Sequence, residues 1–160
     1  MREFKVIFLA AGYGTRLVRD LEETQLRKWQ DLRSCPKPLI ELNKVPLISR
    51  WMDILSTEGD RISAICIITN DKFFDQFESW KERLVGRLKE KVVIFNDFSS
   101  SNEDRLGAVT DLHQAMTVTS QDGECPLLVI AGDTIFSAEF SLHQFLNRFG
   151  ELQGKIASYM

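Results

Sequence analysis

The sequence predicts an α/β fold of the doubly wound class, a mostly parallel sheet with helices on both faces. Three observations predict it. Short runs rich in Val, Ile, Leu and Phe recur along the chain, longer segments with a single apolar stripe separate them, and a glycine-rich turn follows the first run.

The strand runs are Phe4 to Ala10, Ile62 to Thr69, Val92 to Phe95 and Leu127 to Ala131. They are continuously apolar rather than alternating, the mark of strands buried on both faces of a parallel sheet. Between them lie the helical patterns. Leu47, Ile48, Trp51, Met52 and Leu55 recur at helical spacing, as do Phe73, Phe77, Trp80, Leu84 and Leu88. A third helix is expected to carry Leu106, Val109, Leu112 and Met116 inward, and a fourth to carry Phe140, Phe145, Leu146 and Phe149. In open α/β sheets ligands bind beyond the carboxyl ends of the strands, so the loops after Ala10, Thr69, Phe95 and Ala131 are expected to line one cleft. Asn70 and Asp71, after the second run, are read as capping the helix that follows. Two segments break the alternation. Arg19 to Arg33 is crowded with charge, and Asn96 to Asp104 (NDFSSSNED) reads as a flexible loop; either is placed to act as a lid.

Composition narrows the function. A chain of 160 residues, 44% hydrophobic and 27% charged, has the makeup of one globular domain with one core. A net charge of −3 and a pI near 5.5 give no basic field for a nucleic-acid backbone, so nucleic acid is excluded as a partner. No apolar run reaches membrane-spanning length and the start of the chain does not read as a signal peptide, which points to the cytoplasm. Cys35, Cys66 and Cys125 are odd in number and widely spaced, against a disulfide framework or a zinc site.

The chemistry concentrates in two stretches. In LAAGYGTRL (Leu9 to Leu17), Gly12 and Gly14 allow positive φ and close backbone approach, and Arg16 adds a planar cationic fork, a combination suited to a nucleoside triphosphate. The letters match neither a Walker loop nor a dinucleotide fingerprint, whose third glycine or alanine is replaced by Leu17. In CPKPLIEL (Cys35 to Leu42), Lys37 stands between two prolines that stiffen its backbone.

Together, L-A-A-G-x-G-T-R-L and P-K-P-L resemble the signature of the sugar-phosphate nucleotidyltransferases, which join a sugar 1-phosphate to an NTP. KVPLISRWMDIL (Lys44 to Leu55), RLGAVTDL (Arg105 to Leu112) and VIAGDTIF (Val129 to Phe136) resemble later family segments in the family's order. The resemblance implies a Rossmann-like nucleotidyltransferase fold over residues 1–160. It implies that Leu9, Ala10, Ala11, Gly12, Gly14 and Thr15 form the nucleotide-binding loop, with Gly107 leaving room for base or sugar. Arg16 and Lys37 would act on the phosphates, and Asp133 would ligate Mg²⁺. The implied reaction is attack of a sugar 1-phosphate, or a similar phosphorylated small molecule, on the α-phosphorus of an NTP, with release of pyrophosphate. The chain departs from the pattern in two places. Val18 to Cys35 puts eighteen residues without proline between arginine and lysine, an enlarged loop suited to a closing flap. Family members also run longer, and Lys155 to Met160 read as a strand cut short, so the sugar-binding portion is expected to be largely missing. A nucleotide-binding protein of weak or no turnover is therefore the alternative, and a homo-oligomer that completes the site is open. An NAD-dependent oxidoreductase is disfavoured by the missing third glycine.

Overall fold

The computed structural model describes residues 3–23, 32–119 and 125–152. In chain order the strands are β1 (Phe4–Leu9), β2 (Glu41–Leu42), β3 (Val45–Pro46), β4 (Ile62–Thr69), β5 (Val92–Asn96) and β6 (Leu127–Ala131). The helices are α1 (Thr15–Glu23), α2 (Leu47–Ser56), α3 (Phe74–Glu82), α4 (Ala108–Thr119) and α5 (Leu142–Glu151).

The main sheet has four strands in the order β5-β4-β1-β6, every pair parallel. Val6 pairs with Ile65 on one side and Leu128 on the other. Side chains alternate across a strand, so Val6 and Phe8 face one side of the sheet and Ile7 and Leu9 the other. On the first side they join Ile65, Ile67, Trp51, Leu55, Phe77 and Leu146, which bring in α2, α3 and α5. On the second side Ile7 packs with Cys66, Ile68 and Ala115 under α4. Val6, Ile7 and Phe8 are each 0% exposed, which makes β1 the buried centre and explains its unbroken apolar run. Full burial of each such side chain is worth about 1.5–3 kcal/mol. The fold class read from the sequence is the fold observed.

The chain leaves β1 toward β4 and β5, then returns past β1 to lay down β6 on the other side. Strand order therefore reverses between β1 and β6, and the crevice above their carboxyl ends is where this architecture holds ligands. A small hairpin, β2 paired with β3, was not legible beforehand. Its two-residue turn is Asn43-Lys44 with φ of 54° and 65°, the mirror-image turn that hairpins favour, made here without the usual glycine.

Three expectations are corrected. The third pattern does form a helix and Leu112 packs inward as expected, but its buried residues are Asp111 and Ala115, whereas Val109 is 84% exposed and Leu106 and Met116 also face solvent. α3 ends at Glu82, and Leu84 and Leu88 pack against the core from the following turns. Asn96 to Asp104 is tied down by its own side chains. Asp104 accepts from the backbone N–H and hydroxyl of Ser100 (3.1 and 3.0 Å) and of Ser101 (2.7 and 3.0 Å). Those donors, the backbone ones first, hold its carboxyl down at about 2. Of the charged segment Arg19 to Arg33, residues up to Glu23 belong to α1, which buries none of its side chains. The remainder of the expected flap lies mostly outside the described residues, as does Lys155 to Met160. Among the described residues no helix is long and apolar enough to cross a membrane.

Candidate nucleotide site

The glycine loop continues straight out of β1. The Ala10 N–H still donates to Ile68 O (2.9 Å), and Asn70 then takes over with its side chain. Asn70 Nδ2 donates to Ala11 O at 2.9 Å while its Oδ1 accepts from the Phe73 N–H at 3.1 Å. Asn70 is 0% exposed; it orders the turn before α3 and fixes the start of the loop, but the expected capping is not met, since α3 starts at Phe74 with Phe73 as an N-cap that has no side-chain bond, and Asp71 instead accepts from Asn96 Nδ2. Gly14 has φ of +66°, a conformation that costs an L-residue about 1–2 kcal/mol, and α1 starts at the next residue. A Cβ at Gly12 would meet no atom within 4 Å, so this part of the backbone is open to a ligand. Between the glycines, Tyr13 turns the other way. Its hydroxyl bonds Ser99 Oγ (3.1 Å), and Ser99 Oγ donates to Asp97 Oδ1 (2.8 Å). Burial pushes the Tyr13 phenol above its ordinary value and keeps it a donor.

Lys37 opens a single 3₁₀ turn, Lys37–Leu39, with Pro36 in front of it and Pro38 inside it. Pro38 is buried against Gly132, the residue that follows β6. The Gly132 N–H donates to Leu9 O at 3.0 Å; a Cβ on Gly132 would lie 2.7 Å from Pro38 Cγ and 3.0 Å from that same carbonyl. No side chain fits there. The glycine therefore lets three segments meet, the end of β1, the P-K-P turn and the G-D turn. Trp51 Nε1 anchors the far side of the last turn through Thr134 O at 3.0 Å. The outcome is an ion pair across the cleft, Lys37 Nζ donating to Asp133 Oδ2 at 3.1 Å. With the side chains 39% and 50% exposed, the pair contributes at most about 1 kcal/mol. Its chemical availability matters more than its stability.

The cleft so formed has a volume of about 500 Å³. Leu9, Ala10, Ala11, Gly12 and Gly14 form one wall, Lys37 and Pro38 a second, and Ala131 with Asp133 a third. The fourth wall comes from Arg105, Gly107, Ala108 and Asp111 at the start of α4, where Gly107 takes φ of +86°. Eight of the residues singled out in the sequence thus converge, and two do not. Thr15 and Arg16 stand exposed on the first turn of α1, outside the lining. The loop after β4 does not line the cleft; it braces the glycine loop from behind through Asn70, as Ser99 does at the start of the loop after β5, while the end of that second loop brings Arg105 and Gly107 into the lining as expected.

Sequence reasoning left Asp111 undecided. It is 6% exposed, forms part of the cleft wall, and its Oδ1 is sealed from solvent without a hydrogen-bond partner. Burial, and then the neighbouring Asp97 carboxylate, raise its pKa to about 6. Asp97 is likewise buried, with one oxygen satisfied by Ser99 and Oδ2 unpartnered. Its position behind a Ser/Asn/Asp cluster gave no signal in the sequence. Among the described residues no group of three or more His, Cys, Asp or Glu is assembled to hold a metal alone. Asp133 is a single, half-exposed oxygen donor, which fits a hard cation that takes its other ligands from phosphates and water.

No protein-family model matches the sequence. Over 98 residues the chain is 36% identical to a choline-phosphate cytidylyltransferase of Streptococcus pneumoniae, a match covering 60% of this chain and 37% of that protein. A solved UDP-glucose pyrophosphorylase in its complex with UDP-glucose superposes over 96% of this chain and 55% of its own, with a TM-score of 0.63 at 18% identity. The chain has a nucleotidyltransferase fold. The apo form of a UDP-glucose pyrophosphorylase agrees, with a TM-score of 0.65 at 18% identity over 96% of this chain and 56% of the other. The inositol-1-phosphate CTP transferase of T. maritima shares the nucleotidyltransferase fold at a TM-score of 0.57 and 17% identity, covering 85% and 46%. The resemblance drawn from the motifs is thus met at the level of the fold. The chain spans between about a third and somewhat over half of the length of these proteins.

Proposed function

We propose that the cleft binds a nucleoside triphosphate with Mg²⁺ and that the protein transfers the nucleotidyl group to a sugar 1-phosphate or a similar phosphorylated small molecule, releasing pyrophosphate. The observation that carries the reading is the meeting of Lys37 and Asp133, 96 residues apart in the chain, across the mouth of a bare glycine loop. In-line displacement at an α-phosphorus needs alignment and charge neutralisation rather than a nucleophilic side chain. The loop amides between Ala11 and Thr15 and the N-terminus of α1 supply fixed positive dipoles for phosphate oxygens. Lys37 supplies a full charge on a backbone that its prolines hold still. Asp133 would hold the cation, which when bound neutralises charge on the phosphate oxygens. Lys37, released from Asp133, then turns to the phosphates. Arg16 is left to meet the distal, leaving phosphates from the first turn of α1.

Such a protein works where NTPs are plentiful, and we keep the cytoplasm as its compartment and residues 1–160 as one domain of the transferase type. The reading is tested by mixing the chain with Mg²⁺, an NTP and a panel of sugar 1-phosphates and other phosphorylated small molecules, and detecting pyrophosphate beside a thermal-shift measurement on the same sample. A raised midpoint with pyrophosphate release supports transfer. A raised midpoint without release leaves a nucleotide-binding protein without turnover, and no shift with any NTP rejects the site.

A further inference from the structure

Among the described residues no backbone acceptor takes the N–H of Gly12, Tyr13 or Gly14, so neither strand nor helix holds this stretch in place. Two glycines make it supple, and that freedom must be lost when a ligand is bound. Two side chains do the holding. Asn70 reaches Ala11 O (2.9 Å) at the start of the loop, and Tyr13 reaches Ser99 Oγ (3.1 Å) from its middle. Ser99 is a fixed anchor, 4% exposed. Its N–H and hydroxyl both donate to Asp97 Oδ1 (2.7 and 2.8 Å), and its carbonyl accepts from the Asp71 N–H (3.0 Å). Asp97 in turn donates its own N–H to Thr69 O (2.8 Å), at the end of β4. Because Ser99 gives its hydrogen to a carboxylate, its Oγ is left to accept, and the Tyr13 phenol donates. The Tyr13 ring lies against the buried Phe73, with centroids 6.4 Å apart. Neither Tyr13 nor Ser99 lines the cleft, so the tether works from behind it.

We propose that Tyr13 is a positioning residue for the nucleotide: anchored through Ser99 on the buried carboxylate of Asp97, it holds the backbone of Gly12 and Gly14 in its ligand-ready form before the phosphates arrive. The inference rests on the nucleotide reading above and adds to it a side chain that touches no substrate. A loop ordered in advance loses less freedom on binding, and the difference appears as affinity. It also gives a task to Ser99 and Asp97, a buried polar pair that phosphoryl chemistry in the cleft does not itself require.

The test uses Tyr13→Phe, which keeps the ring against Phe73 and removes only the hydroxyl, together with Ser99→Ala and the double variant. Calorimetric titration with Mg²⁺ and CTP, UTP, GTP or ATP in turn, well below each melting midpoint, is paired with hydrogen exchange of the ligand-free chains over residues 10–17. Tyr13→Phe and Ser99→Ala should each weaken binding about threefold to tenfold, the range for one hydrogen bond, and speed exchange at Gly12 to Thr15. The double variant should lose no more than the larger single loss, since both substitutions cut the same tether. A lower melting midpoint in Tyr13→Phe with saturable binding equal to that of the wild type would make the bond purely structural. That result, or loop exchange left unchanged, overturns the positioning role while the nucleotide site stands. No saturable binding of any of the four by the wild type rejects the nucleotide reading and this role with it.

Discussion

Asp111 shows at single-residue scale how a buried carboxylate opposes stability. Its carboxyl titrates at about 6 in the folded chain, against an ordinary value of 3.8, because burial first and Asp97 second disfavour the charge. The native state therefore holds a proton there more tightly than the unfolded chain does. Stability contributed at this residue is intact below about pH 4 and is lost as the pH rises through 6. Asp111→Asn keeps the shape without the charge and should raise unfolding free energy at pH 7.5 by on the order of 1–3 kcal/mol. At pH 3.5 the gain should vanish. Urea unfolding of both chains at the two pH values checks this, and a gain equal at both would mean that ionisation is not what the native state resists. The same residue marks the limit of sequence reading. Helical periodicity assigns the apolar residues inward and so turns Val109 and Met116 to the core; the chain instead exposes them and buries a carboxylate beside Ala115. A rule that equates burial with apolarity fails at this position. Gly12, Gly14, Lys37 and Asp133 were legible because their local chemistry, bare backbone, stiffened cation and strand-end carboxylate, is written in adjacent letters.

Among elements, the decisive contact is the one that the G-D turn makes with the P-K-P turn. Gly132→Ala would set a methyl group 2.7 Å from Pro38 Cγ and 3.0 Å from Leu9 O, and Pro38 is buried while the carbonyl belongs to the central strand. Neither can yield as a flexible side chain would. The substitution should cost about 1–3 kcal/mol of stability, the range for overpacking, and should also weaken Mg-NTP binding by separating Lys37 from Asp133. Thermal unfolding and nucleotide titration of the purified variant check both halves; an unchanged melting midpoint with unchanged affinity would show that the three segments are not held by this approach. A sequence hints at this only through the letters A-G-D, since the partners of Gly132, Pro38 and Leu9, come from far earlier in the chain. The loop from Asn96 to Asp104 was misread for a related reason. Ser, Asn and Asp are turn formers in any setting, and only the fold shows Asp104 and Asp97 gathering the serine donors and Tyr13 reaching Ser99.

Across the whole molecule, a four-stranded parallel sheet whose order reverses beside β1 puts the glycine loop, Lys37, Asp133 and Asp111 around one crevice. Alternating runs and stripes made that architecture readable in advance, because a sheet covered on both faces leaves continuous apolar strands. Convergence of the walls was readable only as far as the strand-end rule goes; Arg16 falls outside, on a helix whose side chains remain unburied. The central claim is that this crevice holds a nucleoside triphosphate through Lys37 and a cation at Asp133. The most direct measurement is calorimetric titration of the chain with an NTP in Mg²⁺ and again in EDTA, repeated on Lys37→Ala. The account predicts one saturable site in Mg²⁺, weaker in EDTA, with a further loss of about 1.5–3 kcal/mol in the variant, the range for a charge-assisted hydrogen bond. No saturable heat in either condition, or equal affinity for wild type and variant, would contradict it.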